Sequence, residues 1–110
     1  MAIYSNLNVD QGTSFNITVE LEDANGDSFD LDGYTVSAQI RKTYSSLTSV
    51  DFTAEISNAA YGKITLSLSD TQTSSLKAGR YVYDVEVVSE GGVVSRVLEG
   101  QVEVFPGVTR

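Results

Sequence analysis

The chain has 110 residues, 41% of them hydrophobic and 20% charged, with fifteen acidic against seven basic side chains and a formal charge of −8; this suits one folded domain with one core and supplies no basic stripe for nucleic acid or an anionic membrane. Cys and His are both absent, which excludes disulfides, thiolate chemistry, cysteine or histidine metal sites and the commonest general base. No apolar run approaches the roughly 20 residues of a membrane helix, and the Met1–Asn6 start lacks the basic and apolar regions of a secretory signal.

Residues 1–10 read as an extended N-terminal arm, whose weakly apolar segment Ile3–Asp10 is expected to pair with a neighbouring chain. The first clear strand follows: Phe15, Ile17, Val19 and Leu21 alternate with Asn16, Thr18, Glu20 and Glu22, the period of a half-buried strand. It stops at Asp23–Asp27, where Asn25-Gly26 supplies a tight turn. After a short stretch with Phe29 and Leu31, Asp32-Gly33 turns the chain again.

Tyr34, Val36, Ala38 and Ile40 make the next inward row. Lys42–Ser49 reads as a loop. Val50, Phe52, Ala54 and Ile56 form one alternating set, and Ile64, Leu66 and Leu68 another. Asp70-Thr71-Gln72-Thr73 has the look of a capped helical turn, from which Leu76 drops into the core. Tyr81, Tyr83, Val85 and Val87 then form an inward row opposite Arg80, Asp84 and Glu86, with Arg96 as a cross-strand partner for the two carboxylates. Glu90-Gly91-Gly92 turns the chain into the last strand, from about Val93 to Phe105, where the adjacent Val97-Leu98 pair predicts a bulge. The single Pro, Pro106, lies outside every strand.

This pattern predicts an all-β fold, an immunoglobulin-like antiparallel β-sandwich of about seven to eight strands in a single domain, with a small closed barrel as the alternative. Leu76–Tyr83 resembles the corner leading into the sixth immunoglobulin strand, where a Tyr bonds back to the preceding loop. Tyr81 takes that role, and Tyr83 takes the core place held by a Cys in antibodies.

Chemistry is sparse. Ser and Thr lie on polar strand faces or in loops with no base beside them, and no glycine-rich phosphate loop occurs. Neither a catalytic set nor a cofactor site is expected. Asp23, Asn25 and Asp27, followed by Asp30 and Asp32, have oxygen-rich spacing of the kind calcium takes. Gly26 comes two places too early for a helix–loop–helix calcium loop, and no Glu closes it, so the sequence favours a plain turn. Tyr4, Tyr44 and Tyr61 fall outside the core pattern and are the aromatic candidates for a sugar or receptor site.

The order of several segments carries a resemblance: 23–34 (Asp-Ala-Asn-Gly-Asp through Asp-Gly-Tyr), 38–42 (Ala-Gln-Ile-Arg-Lys), 62–73 (Gly-Lys-Ile-Thr-Leu-Ser-Leu-Ser-Asp-Thr-Gln-Thr), 78–87 (Ala-Gly-Arg-Tyr-Val-Tyr-Asp-Val-Glu-Val) and 94–104. Together they resemble small domains of phage tail genes, similar to the N-terminal domain of the phage baseplate upper protein family. That resemblance implies a non-enzymatic virion protein made in the host cytoplasm, a tail or baseplate accessory or adaptor subunit. Its partners are other virion proteins, and it stands in multiple copies or as a homo-oligomer. The family pattern adds a helical linker and a second domain, which residues 1–110 do not include, so the expectation is a stand-alone accessory subunit. A capsid-decorating protein is the alternative location, and a carbohydrate-binding module the alternative class.

Overall fold

The computed structural model describes residues 3–23 and 25–108. Met1 and Ala2 of the expected arm, Ala24 of the acidic turn, and Thr109 and Arg110 at the end lie outside the described residues. In chain order the elements are β1 (Ile3–Tyr4), β2 (Leu7–Asp10), β3 (Phe15–Glu20), β4 (Thr35–Arg41), β5 (Val50–Asp51), β6 (Thr53–Asn58), β7 (Lys63–Leu68), α1 (Asp70–Ser75), β8 (Gly79–Val88) and β9 (Val94–Phe105).

They build a sandwich of two sheets. The larger runs β1-β9-β8-β4-β5, with β2 also on β9, and the smaller runs β3-β7-β6. Alternating inward rows meet between them. Val9, Ile64, Leu66, Val85, Val87 and Val102 are fully buried, each contributing about 1.5–3 kcal/mol relative to exposure. Both sheets have free ends, so the architecture is the immunoglobulin-like sandwich and not the closed barrel.

One feature of the expected sandwich is corrected. β1 and β2 run parallel to β9, with Ile3 opposite Leu98 and Leu7 opposite Val102, so the larger sheet is mixed rather than wholly antiparallel. Side-chain alternation has the same period in either strand direction, which is why the sequence does not distinguish them. The arm expected to reach a neighbouring chain is instead spent on its own last strand, with Leu7 and Val9 in the core. Ser5 and Asn6, between β1 and β2, lie against β9. The Ser5 N–H donates to the Glu99 carbonyl at 2.8 Å, and the Gln101 N–H donates to Asn6 Oδ1 at 3.0 Å.

The alternating set 50–56 is two strands. Val50 pairs with Ile40 in the larger sheet, whereas Ala54 pairs with Leu66 in the smaller. The chain changes sheets at Phe52, whose N–H still reaches the Ala38 carbonyl at 3.0 Å and whose buried ring packs near Phe15 and Tyr83. The expected bulge in β9 is present. Val85 faces Leu98 but Glu86 faces Arg96, leaving Val97 extra. The cap of the helical turn is Ser69, one residue before the Asp70 start. Ser69 accepts from the Gln72 N–H and Gln72 Oε1 accepts from the Ser69 N–H, a capping box, and Leu76 is buried after it.

Candidate functional site

The immunoglobulin corner has its bond in place. The Tyr81 hydroxyl donates to the Lys77 carbonyl at 2.8 Å, with the Lys42 ammonium 4.8 Å from the ring centroid and donating to the Arg80 carbonyl. Tyr83 is buried, and its hydroxyl donates to the Ser5 carbonyl at 2.6 Å. Burial pushes that phenol up to about 12. Both tyrosines are structural clamps, with their hydroxyls committed to backbone carbonyls.

In the acidic turn, Asp23 Oδ1 accepts the N–H groups of Asn25 at 2.9 Å and Asp27 at 3.1 Å, while Asp30 Oδ1 accepts the Asp32 N–H. These are Asx turns, in which side-chain oxygen staples the loop. Among the described residues no group of three or more acidic side chains is gathered as a metal would require. The side-chain oxygens of Asp23 and Asp30 are engaged in forming these turns.

Tyr4, Tyr44 and Tyr61 are all well exposed but sit on separate elements: β1, the β4–β5 loop and the β6–β7 turn. Of the three, only Tyr44 borders the polar hollow of about 240 Å³ on the outer face of the larger sheet, beside Gln39, Arg41, Asp84, Glu86 and Arg96. Most of those polar groups already have partners. Arg41 donates to the Ser46 carbonyl at 2.6 Å and to Gln39, Gln39 donates to Asp51, and Arg96 bridges Asp84 at 3.2 Å. Among the described residues these three rings form no shared aromatic platform.

What the sequence left unseen is an open edge. β3 pairs with β7 over six consecutive positions, from Phe15 opposite Leu68 to Glu20 opposite Lys63, with no bulge. Among the described residues no strand lies on its other side. The Leu21 N–H bonds the Gly62 carbonyl on the β7 side. By alternation the backbone groups of Phe15, Ile17 and Val19 also point to β7, and those of Asn16, Thr18 and Glu20 point outward, unpaired. The inward row of β3 is correspondingly only half-buried, whereas Ile64, Leu66 and Leu68 beside it on β7 are at most 2% exposed. The other edges are guarded by the usual devices: β5 has two residues, β1 and β2 are short and broken at Ser5–Asn6, and β6 carries a register shift after Ile56.

No family model matches the chain, and no curated protein matches it. Solved structures do. An internalin-like protein of Listeria monocytogenes, lmo2027, aligns at 21% identity over 94% of this chain, with a TM-score of 0.51. The chain spans 28% of that protein's length. The Lin-41 filamin domain aligns at 16% identity over 91% of this chain and 84% of its own, with a TM-score of 0.51. A chain from the complex of ICOS with ICOS-L and an anti ICOS-L VNAR domain aligns at 14% identity over 94% of this chain and 56% of its own, also at 0.51. The chain has an immunoglobulin-like β-sandwich fold. At these identities the likeness extends to the fold alone.

Proposed function

We propose that this domain is a non-enzymatic protein-interaction module that docks through the open edge of β3. The observation that carries this is the regular, unguarded run of outward N–H and C=O groups at Asn16, Thr18 and Glu20 above a half-buried apolar row. An added strand satisfies the backbone groups and covers Phe15, Ile17 and Val19, so one event supplies both hydrogen bonds and apolar burial. The absence of Cys and His from the sequence, the turn-committed acidic residues and the two clamped tyrosines support a binding role over catalysis.

The segment order described above supports a particular place for such a module: a bacteriophage virion, as an accessory or adaptor subunit of the tail or baseplate held by contacts with other virion proteins. An antibody raised against the domain and viewed with gold on intact particles from the source tests this. Label at the tail end is expected. Label on the head moves the protein to capsid decoration, and particles free of label and of the protein overturn the virion reading.

A further inference from the structure

Resting on the strand-addition reading of β3, we propose that the strand added there is β3 of a second copy, antiparallel about a two-fold axis beside Thr18. The two three-stranded sheets then become one six-stranded sheet across the dimer.

Charge placement selects this occupant. The chain carries −8 overall, so most of its surfaces repel a copy of themselves. The acidic residues concentrate elsewhere: Glu22, Asp23, Asp27, Asp30 and Asp32 in the β3–β4 connection, and Asp51, Asp84, Glu86, Glu99 and Glu103 on the strands of the larger sheet. The outer face of the smaller sheet is nearly neutral. Its rows are Asn16, Thr18 and Glu20 on β3, Lys63, Thr65 and Ser67 on β7, and Thr53 and Glu55 on β6, with Glu20 directly opposite Lys63.

The register is self-complementary. With the two-fold at Thr18, Thr18 faces Thr18 of the partner subunit, and Asn16 faces Glu20 of the partner subunit. Each strand's one carboxylate therefore meets an amide rather than its own copy, avoiding the like-charge pair that destabilises a ladder. The outward backbone groups at Asn16, Thr18 and Glu20 all find partners. On the inner face Ile17 meets Val19 of the partner subunit, which extends the apolar row across the seam. Moving the axis to Glu20 sets the two carboxylates against each other, and moving it to Asn16 runs Glu20 off the strand onto Gly12 of the partner subunit.

Because the native sequence has no Cys, single-cysteine variants report contacts without background. In the proposed dimer the Cα atoms at position 18 lie roughly 5.5 Å apart, within disulfide range, whereas those at position 65 lie about three strand spacings apart, near 14 Å, outside it. Thr18→Cys is expected to form a covalent dimer under mild oxidation, and Thr65→Cys to stay monomeric. Thr18→Pro removes an outward N–H that makes no bond among the described residues, a place where an edge strand accepts proline. It should abolish the dimer in sedimentation while preserving the circular-dichroism spectrum and melting curve. A wild-type chain that sediments as a monomer at millimolar concentration, with no cross-link at position 18, overturns self-pairing. If Thr18→Pro then still lowers incorporation into particles, the edge takes a foreign strand and the docking reading stands. If incorporation is unchanged as well, both fail.

Discussion

The Tyr83 hydroxyl donates to the Ser5 carbonyl across 78 positions of sequence, and that carbonyl lies over Gly100, the residue paired with Tyr83 on the neighbouring strand. Ser5 thus ties the N-terminal segment to two neighbouring strands of the larger sheet, to β8 through its carbonyl and to β9 through its N–H, which donates to Glu99. Tyr83→Phe keeps the ring and removes the bond, and is expected to cost about 1 kcal/mol in denaturant unfolding. The phenol also sets a pH dependence. Its folded value is about 12 against an ordinary 10.0. Between those values the unfolded chain has released this proton and the folded chain has not, so stability falls as pH rises. The slope reaches up to about 1.4 kcal/mol per pH unit, and the contribution is intact below pH 10. Unfolding curves collected from pH 8 to 12 should show Tyr83→Phe losing less stability than the wild type over the upper half of that range.

Gly100 is required by closeness rather than by conformation. A Cβ there would collide with the Ser5 carbonyl group and meet Asn6 Oδ1 at 3.2 Å. Backbone cannot swing aside as a long side chain can. Gly100→Ala is therefore expected to push Ser5 and Asn6 off β9, costing about 1–3 kcal/mol. Amide exchange should accelerate from Ile3 to Asp10 and change little on β7. Uniform acceleration across the chain would instead mean that the strain is shared by the whole sheet.

Much of the fold was legible because apolar side chains at every second position mark a strand without reference to its neighbours. β3, β4, β7 and β8 announce themselves in this way, the Val97-Leu98 pair marks the bulge, and the Leu76–Tyr83 segment marks the corner. The unread features depend on distant pairing. Phe52 continues an unbroken alternation, yet the strand changes sheets there, because which sheet a residue joins depends on whether β4 or β7 lies alongside. β1 and β2 look the same whether they pair within the chain or with a neighbour. The edge of β3 is open while β2 pairs with β9 and not with β3, a choice recorded nowhere within residues 15–20. Gly100 gave a partial signal, a glycine in an inward strand position where a close backbone approach is common.

The hydroxyl of Thr73 does more than its place in a helical turn implies. It is fully buried, donates to the Thr13 carbonyl at 2.7 Å and accepts the Gly12 N–H at 3.1 Å, so it pins the crossing from β2 to β3 against α1. Thr73→Val preserves shape while stranding two backbone groups, and should cost about 1–3 kcal/mol. Thr73→Ser, which keeps the hydroxyl, should lose less than half as much. Equal losses in the two variants would assign the effect to the missing methyl group rather than to the hydrogen bonds.

Removing residues 1–10 tests the corrected role of the N-terminal segment. An arm serving only a neighbouring chain would be dispensable to the isolated fold. Here Leu7 and Val9 are part of the core, at 9% and 0% exposure, and the truncation also uncovers the edge of β9 from Leu98 to Phe105. Two buried aliphatic side chains account for roughly 3–6 kcal/mol, a large share of the about 5–15 kcal/mol that stabilises a typical domain. At about 4 °C or more per kcal/mol for a chain of this size, the truncated protein should melt at least about 12 °C below the intact one, or fail to fold. An unchanged melting curve would mean that β1 and β2 rest on the sheet without supporting it, and would return the segment to the role of a free arm.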